Sequence, residues 1–188
     1  MESRGGVLGA VIAGGASRRF GSDKALASID GKSMLAHVIE ALRPQVDDVV
    51  VCGREWPDVT VLPDLCRRRI GPLAGLEAAL EHATKRRYRA VLSVPVDTLP
   101  LPGDLLLRLD GSGPAVLHEQ YLIGYWPITC LDPLRRHLQA GSRTVRGWIA
   151  EANVRRVAEP FSICNINFPD DLKLIKGHAQ QRSEPEQS

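Results

Sequence analysis

The chain has 188 residues, 24 basic against 22 acidic side chains, and a hydrophobic fraction of 44%. That length suits one domain with a full-sized core, and 5% aromatic residues leave too few rings for a stacking platform on single-stranded nucleic acid. A formal charge of +2 lacks the clustered basic excess of a nonspecific nucleic-acid binder; the runs Arg67-Arg68-Arg69 and Lys85-Arg86-Arg87 read as solvated loop or helix ends.

Residues 1–6 form a short polar N-terminal extension without the apolar stretch of a secretion signal. No apolar run approaches membrane-spanning length, so a cytoplasmic protein with no membrane partner is expected. Cys52, Cys66, Cys130 and Cys164 are scattered without a CxxC pair, which argues against zinc. Cys52, Cys130 and Cys164 lie in apolar runs and read as reduced core thiols.

Val7 to Ile12 is too short for a helix and too apolar for a loop, and reads as a buried strand. It opens at Gly14-Gly15, where the backbone can approach a ligand without a Cβ in the way. Arg18, Arg19 and Lys24 follow in the same turn-rich segment. A strand opening into a glycine loop with cations can cradle phosphates; the alternative is a tight turn with solvated basic residues.

Further on, Ser33 is placed to cap a helix running to about Arg43 and stopped by Pro44, with Leu35, Val38, Ile39 and Leu42 on one face. Asp48 to Cys52 reads as a strand covered on both faces, and Val59 to Leu62 as a short one ending at Pro63-Asp64. Pro72 opens a helix with Leu76, Ala79, Leu80 and Ala83 inward. Ala90 to Val96 is a third apolar strand, broken at Asp97-Thr98-Leu99-Pro100, and Leu101 to Leu109 is a short helix. Alternating strands and helices to this point imply a mainly parallel sheet with helices on both faces.

Ala115–Leu117 and Leu122–Tyr125 then read as a hairpin, an antiparallel addition to the sheet. Leu131 to Leu138 and Thr144 to Glu151 are helical, and Asn153 to Val157 is a last short strand. Ile163 to Phe168 leads into a final helix. The single domain is expected over residues 7–175, and residues 176–188 read as a disordered tail. Tyr125, Trp126 and Trp148 suit the core better than an interface.

In an open α/β sheet the ligand sits beyond the carboxyl ends of the strands. The Gly14-Gly15 loop, Asp64 and Asp97 fall there. Asp97, at the tip of an apolar strand, is suited to hold Mg²⁺ against nucleotide phosphates; as a turn former before Thr98 it would need no ligand.

These stretches carry a resemblance. Ile12-Ala13-Gly14-Gly15-Ala16-Ser17-Arg18-Arg19-Phe20-Gly21-Ser22-Asp23-Lys24 is similar to the LAGGxSxRxGxDK signature of the molybdenum cofactor guanylyltransferase family. Gly71-Pro72-Leu73-Ala74-Gly75-Leu76 matches its GPLAG motif. Asp30-Gly31-Lys32-Ser33-Met34-Leu35 resembles its GKPL helix start, and Val94 to Pro100 its PCDTP element with one residue inserted before the last proline. Asn165-Ile166-Asn167-Phe168-Pro169-Asp170-Asp171 resembles its NxNTPEE ending, with Phe168 where threonine is usual. The motifs come in the family's order from about Val7 to Ile175.

The resemblance implies a single Rossmann-like nucleotidyltransferase domain that transfers GMP from GTP to molybdopterin, with Mg²⁺. It places Ile12, Ala13, Gly14 and Gly15 on the nucleotide through the backbone, Lys24 on its phosphates, and Asp64 as a further nucleotide-binding group. Asp97 would bind the metal, and Asn165 and Asn167 would lie on the pterin side, though they also suit capping of the last helix. Catalysis would rest on Lys24 and Asp97, with Arg19 as a further cation that is otherwise a surface charge. Cofactor carrier proteins and target molybdoenzymes are the implied partners. Cys52 stands where the family has a nucleotide-binding asparagine, and a thiol cannot replace both functions of a carboxamide. A CTP-dependent transferase acting on molybdopterin or on a sugar or polyol phosphate, and a non-catalytic nucleotide-binding adaptor, stay open beside the guanylyl reading.

Overall fold

Val7–Ile12 forms the central strand because every residue in it is buried, with small Gly9 and Ala10 letting helices pack close on both faces. The computed structural model describes residues 5–14, 24–63, 71–160, 163–166 and 171. In chain order the strands are β1 (Val7–Ile12), β2 (Ser28–Ile29), β3 (Lys32–Ser33), β4 (Asp48–Cys52), β5 (Thr60–Leu62) and β6 (Ala90–Pro95). They continue as β7 (Thr98–Leu99), β8 (Ala115–Leu117), β9 (Gly124–Pro127), β10 (Arg155–Val157) and β11 (Cys164–Asn165). The helices are α1 (Met34–Leu42), α2 (Pro72–Lys85), α3 (Leu105–Leu109), α4 (Leu131–Gln139) and α5 (Val145–Glu151).

Seven strands make one sheet in the order β10-β8-β9-β6-β1-β4-β5. β1 lies between β4 and β6, parallel to both, with Ala10 opposite Val50 and Ser93. β9 runs antiparallel to β6 and β8, and β10 parallel to β8. The mainly parallel sheet with an antiparallel addition is therefore present. Side chains alternate across the sheet. Val11, Val51, Leu92 and Val94 meet α1 and α3, whereas Leu8, Ala10, Val50 and Val91 meet α2, α4 and α5.

Several boundaries follow from local chemistry. Ser33 caps α1 by accepting a hydrogen bond from the Ala36 N–H at 3.2 Å, and Pro44 sits in the 3₁₀ turn that ends it. α3 begins at Leu105 rather than Leu101, since Pro102 and Gly103 precede it. β10 begins at Arg155 rather than Asn153, because Asn153 takes φ 48° in the turn after α5. Thr98-Leu99 is not only a break: it pairs antiparallel with β11, Thr98 opposite Asn165.

Cys52 and Cys130 are buried and Cys164 is half-buried, none of them in a disulfide; burial pushes the Cys130 thiol up to about 11. Tyr125, Trp126 and Trp148 are core residues. Among the described residues no helix is long and apolar enough to cross a membrane.

Ser93 is a buried hydroxyl inside an apolar strand, and it is satisfied on both sides. It donates to the Leu122 carbonyl at 2.7 Å and accepts from Trp126 Nε1 at 2.9 Å. Gly124 makes room for this: a Cβ there would lie 2.8 Å from Trp126 Nε1. Gly124→Ala is therefore expected to displace the indole, break its bond to Ser93 and lower stability by ~1–3 kcal/mol, read as a shifted urea midpoint at constant slope.

Arg89 ties the start of β6 to the end of α3 through two parallel 2.8 Å bonds to Asp110, and its guanidinium lies 5.7 Å from the Tyr125 ring centre. The Arg89 hydrogen bonds hold the Asp110 carboxyl down at about 2. A depressed carboxylate stabilises the fold above its unfolded value near 3.9 and loses that contribution as pH falls from there through about 2. With its side chain 35% exposed, solvent screening limits the contribution to ~1 kcal/mol. Asp110→Asn should unfold at lower urea than wild type at pH 7, with the gap closing between pH 4 and pH 2.

Candidate active site

The chain leaves β1 through α1 to β4 on one side and returns through α2 to β6 on the other, with α1 and α2 on opposite faces. The carboxyl end of β1 is thus a topological switch point, where a crevice opens beyond the strand tips. Ile12, Cys52, Leu62 and Pro95 end their strands on this edge. Backbone bonds continue past the ladders: the Ala13 N–H donates to Cys52 O at 3.0 Å, Val96 N–H to Ile12 O at 3.2 Å, and Gly53 N–H to Leu62 O at 3.0 Å.

These bonds bear on the expected nucleotide contacts. Ile12 and Ala13 are buried, the Ala13 N–H is already committed to the sheet, and the half-buried Gly14 follows at the strand tip. Gly15, Arg18, Arg19, Asp64 and Asn167 lie outside the described residues. Lys24 opens a single 3₁₀ turn, Lys24–Leu26, and its side chain also lies outside them.

Cys52 stands at the tip of β4 but is 1% exposed. Its side chain packs among Ile12, Leu73 and Leu76 under α2, and Gly75 lets that helix close in: a Cβ at Gly75 would lie 3.2 Å from Cys52 Cβ and 3.3 Å from Ile12 Cδ1. The thiol is part of the core.

Asp97 lies directly beyond β6, half-buried. Its carbonyl accepts from the Ile166 N–H at 2.8 Å, which brings Asn165 alongside from 68 residues further along the chain. Thr98, 0% exposed, places its hydroxyl 2.9 Å from Asn165 Oδ1 and 3.4 Å from Asp97 Oδ1. A hydroxyl has one proton, and the shorter distance directs it to the carboxamide, which fixes that group's orientation next to the carboxylate. Three oxygen-bearing side chains therefore converge at this strand tip. Such a hard-donor set suits Mg²⁺, which takes one or two carboxylates and completes its shell with phosphates and water. Among the described residues no three His, Cys, Asp or Glu side chains gather as a metal cluster.

A cleft of about 740 Å³ opens beside Arg43, Asp47, Asp48 and Asp58. It lies at the amino ends of β4 and β5, across the sheet from Asp97, and shares no residue with the crevice.

The arrangement matches a known group. A MobA-like NTP transferase domain accounts for residues 9–155. The chain belongs to that family. The molybdenum cofactor guanylyltransferase of Acidiphilium cryptum (strain JF-5) is 39% identical over 86% of this chain and 90% of its own length. That of Rhizobium meliloti (strain 1021) is 35% identical over 87% of each. In three dimensions the chain is similar to molybdopterin-guanine dinucleotide biosynthesis protein A from Archaeoglobus fulgidus, with a TM-score of 0.73 at 22% identity, covering 93% of this chain and 99% of that one. The protein is a nucleotidyltransferase of the molybdenum cofactor guanylyltransferase family.

Sequence reasoning did not find two features of this edge. Thr98 gave no sign that it joins Asp97 to Asn165, since its partner lies on a strand of two residues. Tyr121 gave no sign of contact with Arg146 and Arg156, which lie 5.4 and 5.5 Å from its ring centre; no motif spans those distances in sequence.

Proposed function

We propose that this chain transfers GMP from GTP to molybdopterin, in the cytoplasm, with Mg²⁺ at Asp97. The observation that carries this reading is the 39% identity, over nearly the whole length of both chains, to a relative named for that activity. The oxygen-lined strand tip at the switch point supports it. A terminal phosphate oxygen of molybdopterin attacks the α-phosphorus of GTP. The bond from that phosphorus to the α,β-bridging oxygen breaks, and its electron pair leaves with pyrophosphate. The acceptor phosphate is already a nucleophile, so the protein has to align the two phosphates and offset their charge.

Asp97 and the neighbouring Asn165 oxygen would hold Mg²⁺, which when bound neutralises charge on the phosphate oxygens. Thr98 keeps the Asn165 carboxamide turned toward Asp97. Lys24 and Arg19 would supply further positive charge to the triphosphate, and Gly14-Gly15 would let the backbone approach it. The Ala13 carbonyl and Gly14 peptide would meet the nucleotide, with Asp64 as a further nucleotide contact. Asn165 and Asn167 would face the pterin. Cofactor carrier proteins or target molybdoenzymes would take up the product.

Incubation with molybdopterin and each of GTP, CTP, ATP and UTP, with and without Mg²⁺, tests this by pyrophosphate release and product mass. GTP with Mg²⁺ is expected to give the guanine dinucleotide and one pyrophosphate per product. A cytosine dinucleotide would keep the reaction and change the base. Tight GTP binding without pyrophosphate would make the chain an adaptor.

A further inference from the structure

Asn165 reaches Asp97 on a strand of two residues, and a pairing that short is marginal on its own. What fastens β11 therefore decides where the carboxamide stands. Thr98 and Leu99 pair with Asn165 and Cys164, and just after the strand the Ile166 N–H donates to the Asp97 carbonyl at 2.8 Å. Just before it, Gln120 Nε2 donates to the Ile163 carbonyl at 3.2 Å. A backbone carbonyl only accepts, so the Gln120 amide nitrogen is the atom that faces it. Ile166 is fully buried while Asn165 is exposed, so the core holds the strand and the carboxamide is presented outward.

The half-buried Gln120 is itself held in place. It lies on the loop from β8 to β9, and β8 runs parallel to β6 through the reversed β9, so this loop emerges on the same edge as Asp97. The Leu117 N–H donates to the Ile123 carbonyl at 3.0 Å, and the Ile123 N–H to the Gln120 carbonyl at 2.8 Å, which closes the loop on itself. Ser93 of β6 donates to the Leu122 carbonyl at 2.7 Å. The loop backbone is thus fastened to the strand that leads to Asp97. Through one side chain, Gln120 extends that fixation to β11.

We propose that Gln120 is a positioning residue for the transfer reaction. By fixing the Ile163 carbonyl it sets where the Asn165 carboxamide stands beside Asp97, and so how the acceptor is aligned. It acts through β11 and need not touch either substrate. The assignment rests on molybdopterin being the acceptor and lying on the Asn165 side. It deepens that reading by extending the site to a residue from the antiparallel half of the sheet. GTP, placed at the loop after β1, does not depend on Gln120 in this arrangement once Mg²⁺ is saturating.

Gln120→Met removes the donor at nearly constant size, and two measurements on the full chain test the role. Amide exchange followed by NMR should show the Ile166 N–H ~3–10-fold less protected, the equilibrium weight of one neutral hydrogen bond, with the amides of β1 unchanged. Steady-state pyrophosphate release at saturating Mg²⁺ should show kcat/KM for molybdopterin lowered ~10-fold or more, because small displacements beside reacting groups are costly. The KM for GTP should stay within about twofold of wild type. Gln120→Glu lacks the donor while ionised and regains one, an O–H, when protonated. Its deficit relative to wild type should narrow as pH falls from about 8 toward about 5, nearer the carboxylate range. A Gln120→Met variant that matches wild type with molybdopterin, or whose loss is shared equally by GTP, overturns the role. Unchanged protection at Ile166, or protection lost across every strand, overturns it as well. Wild type that releases no pyrophosphate with any triphosphate fails at the transferase reading itself, and the positioning role falls with it.

Discussion

Asp97→Asn is expected to lower turnover by ~10³-fold, in the range seen when one charge-stabilising group is removed from a preorganised site. The substitution is nearly isosteric and leaves the Asp97 carbonyl, which accepts the Ile166 N–H at 2.8 Å. The clasp between β7 and β11 should therefore persist. What is lost is a negative charge at a strand tip where, among the described residues, Thr98 and Asn165 add further oxygen. Steady-state pyrophosphate release, with thermal unfolding as the control for folding, reads the two effects apart. A loss below tenfold would show that the carboxylate does not carry the metal. Thr98→Ser, which keeps the hydroxyl, should hold far more activity than Thr98→Val, which leaves the Asn165 carboxamide without that donor.

Trp148→Ala is expected to remove ~3–5 kcal/mol of stability, a large share of the ~5–15 kcal/mol available to a domain. Trp148 is fully buried, its ring centre 6.3 Å from that of Trp126 and 5.6 Å from that of His137. It links α5 to α4 and to the strand that carries Trp126. Its indole N–H has no hydrogen-bond partner among the described residues, so Trp148→Phe gives up packing volume while removing a desolvated donor, and should lose clearly less than the alanine variant. Urea unfolding of the two variants measures the difference; equal losses would mean the N–H is satisfied.

The parts legible in the sequence were those with a local cause. Apolar runs such as Val7–Ile12 and Ala90–Val96 announce buried strands, and Ser33 and Pro44 bracket a helix. The order of those elements implied the parallel half of the sheet. The place of Asp97 at a strand tip was legible because an apolar strand ends just before it. What escaped depended on pairings between distant short segments. A strand of two residues, Cys164–Asn165, has no periodicity to detect, so its union with Thr98–Leu99 was invisible. The same holds for Arg89 with Asp110, and for Tyr121 with its two arginines. Cys52 carried two readings: its apolar strand marked a core thiol, and β4 indeed turns that side chain under α2, whereas the nucleotide contact came from the resemblance alone. Position along the strand was readable, and the face taken by the thiol needed the helix that covers it.

The small ladder between β7 and β11 has a consequence for how the protein comes into being. The seven-stranded sheet is complete once β10 has been made, at Val157. Asn165 is synthesised afterwards and attaches to the finished sheet through the Thr98 pairing and the Ile166–Asp97 bond. A nascent chain can thus assemble its sheet before the strand tip beside Asp97 has acquired its second oxygen-bearing side chain, while the core still awaits Ile166. A chain that stops short of Asn165 holds every strand of the seven-stranded sheet, yet lacks both the fully buried Ile166 and the oxygen that Asn165 brings beside Asp97.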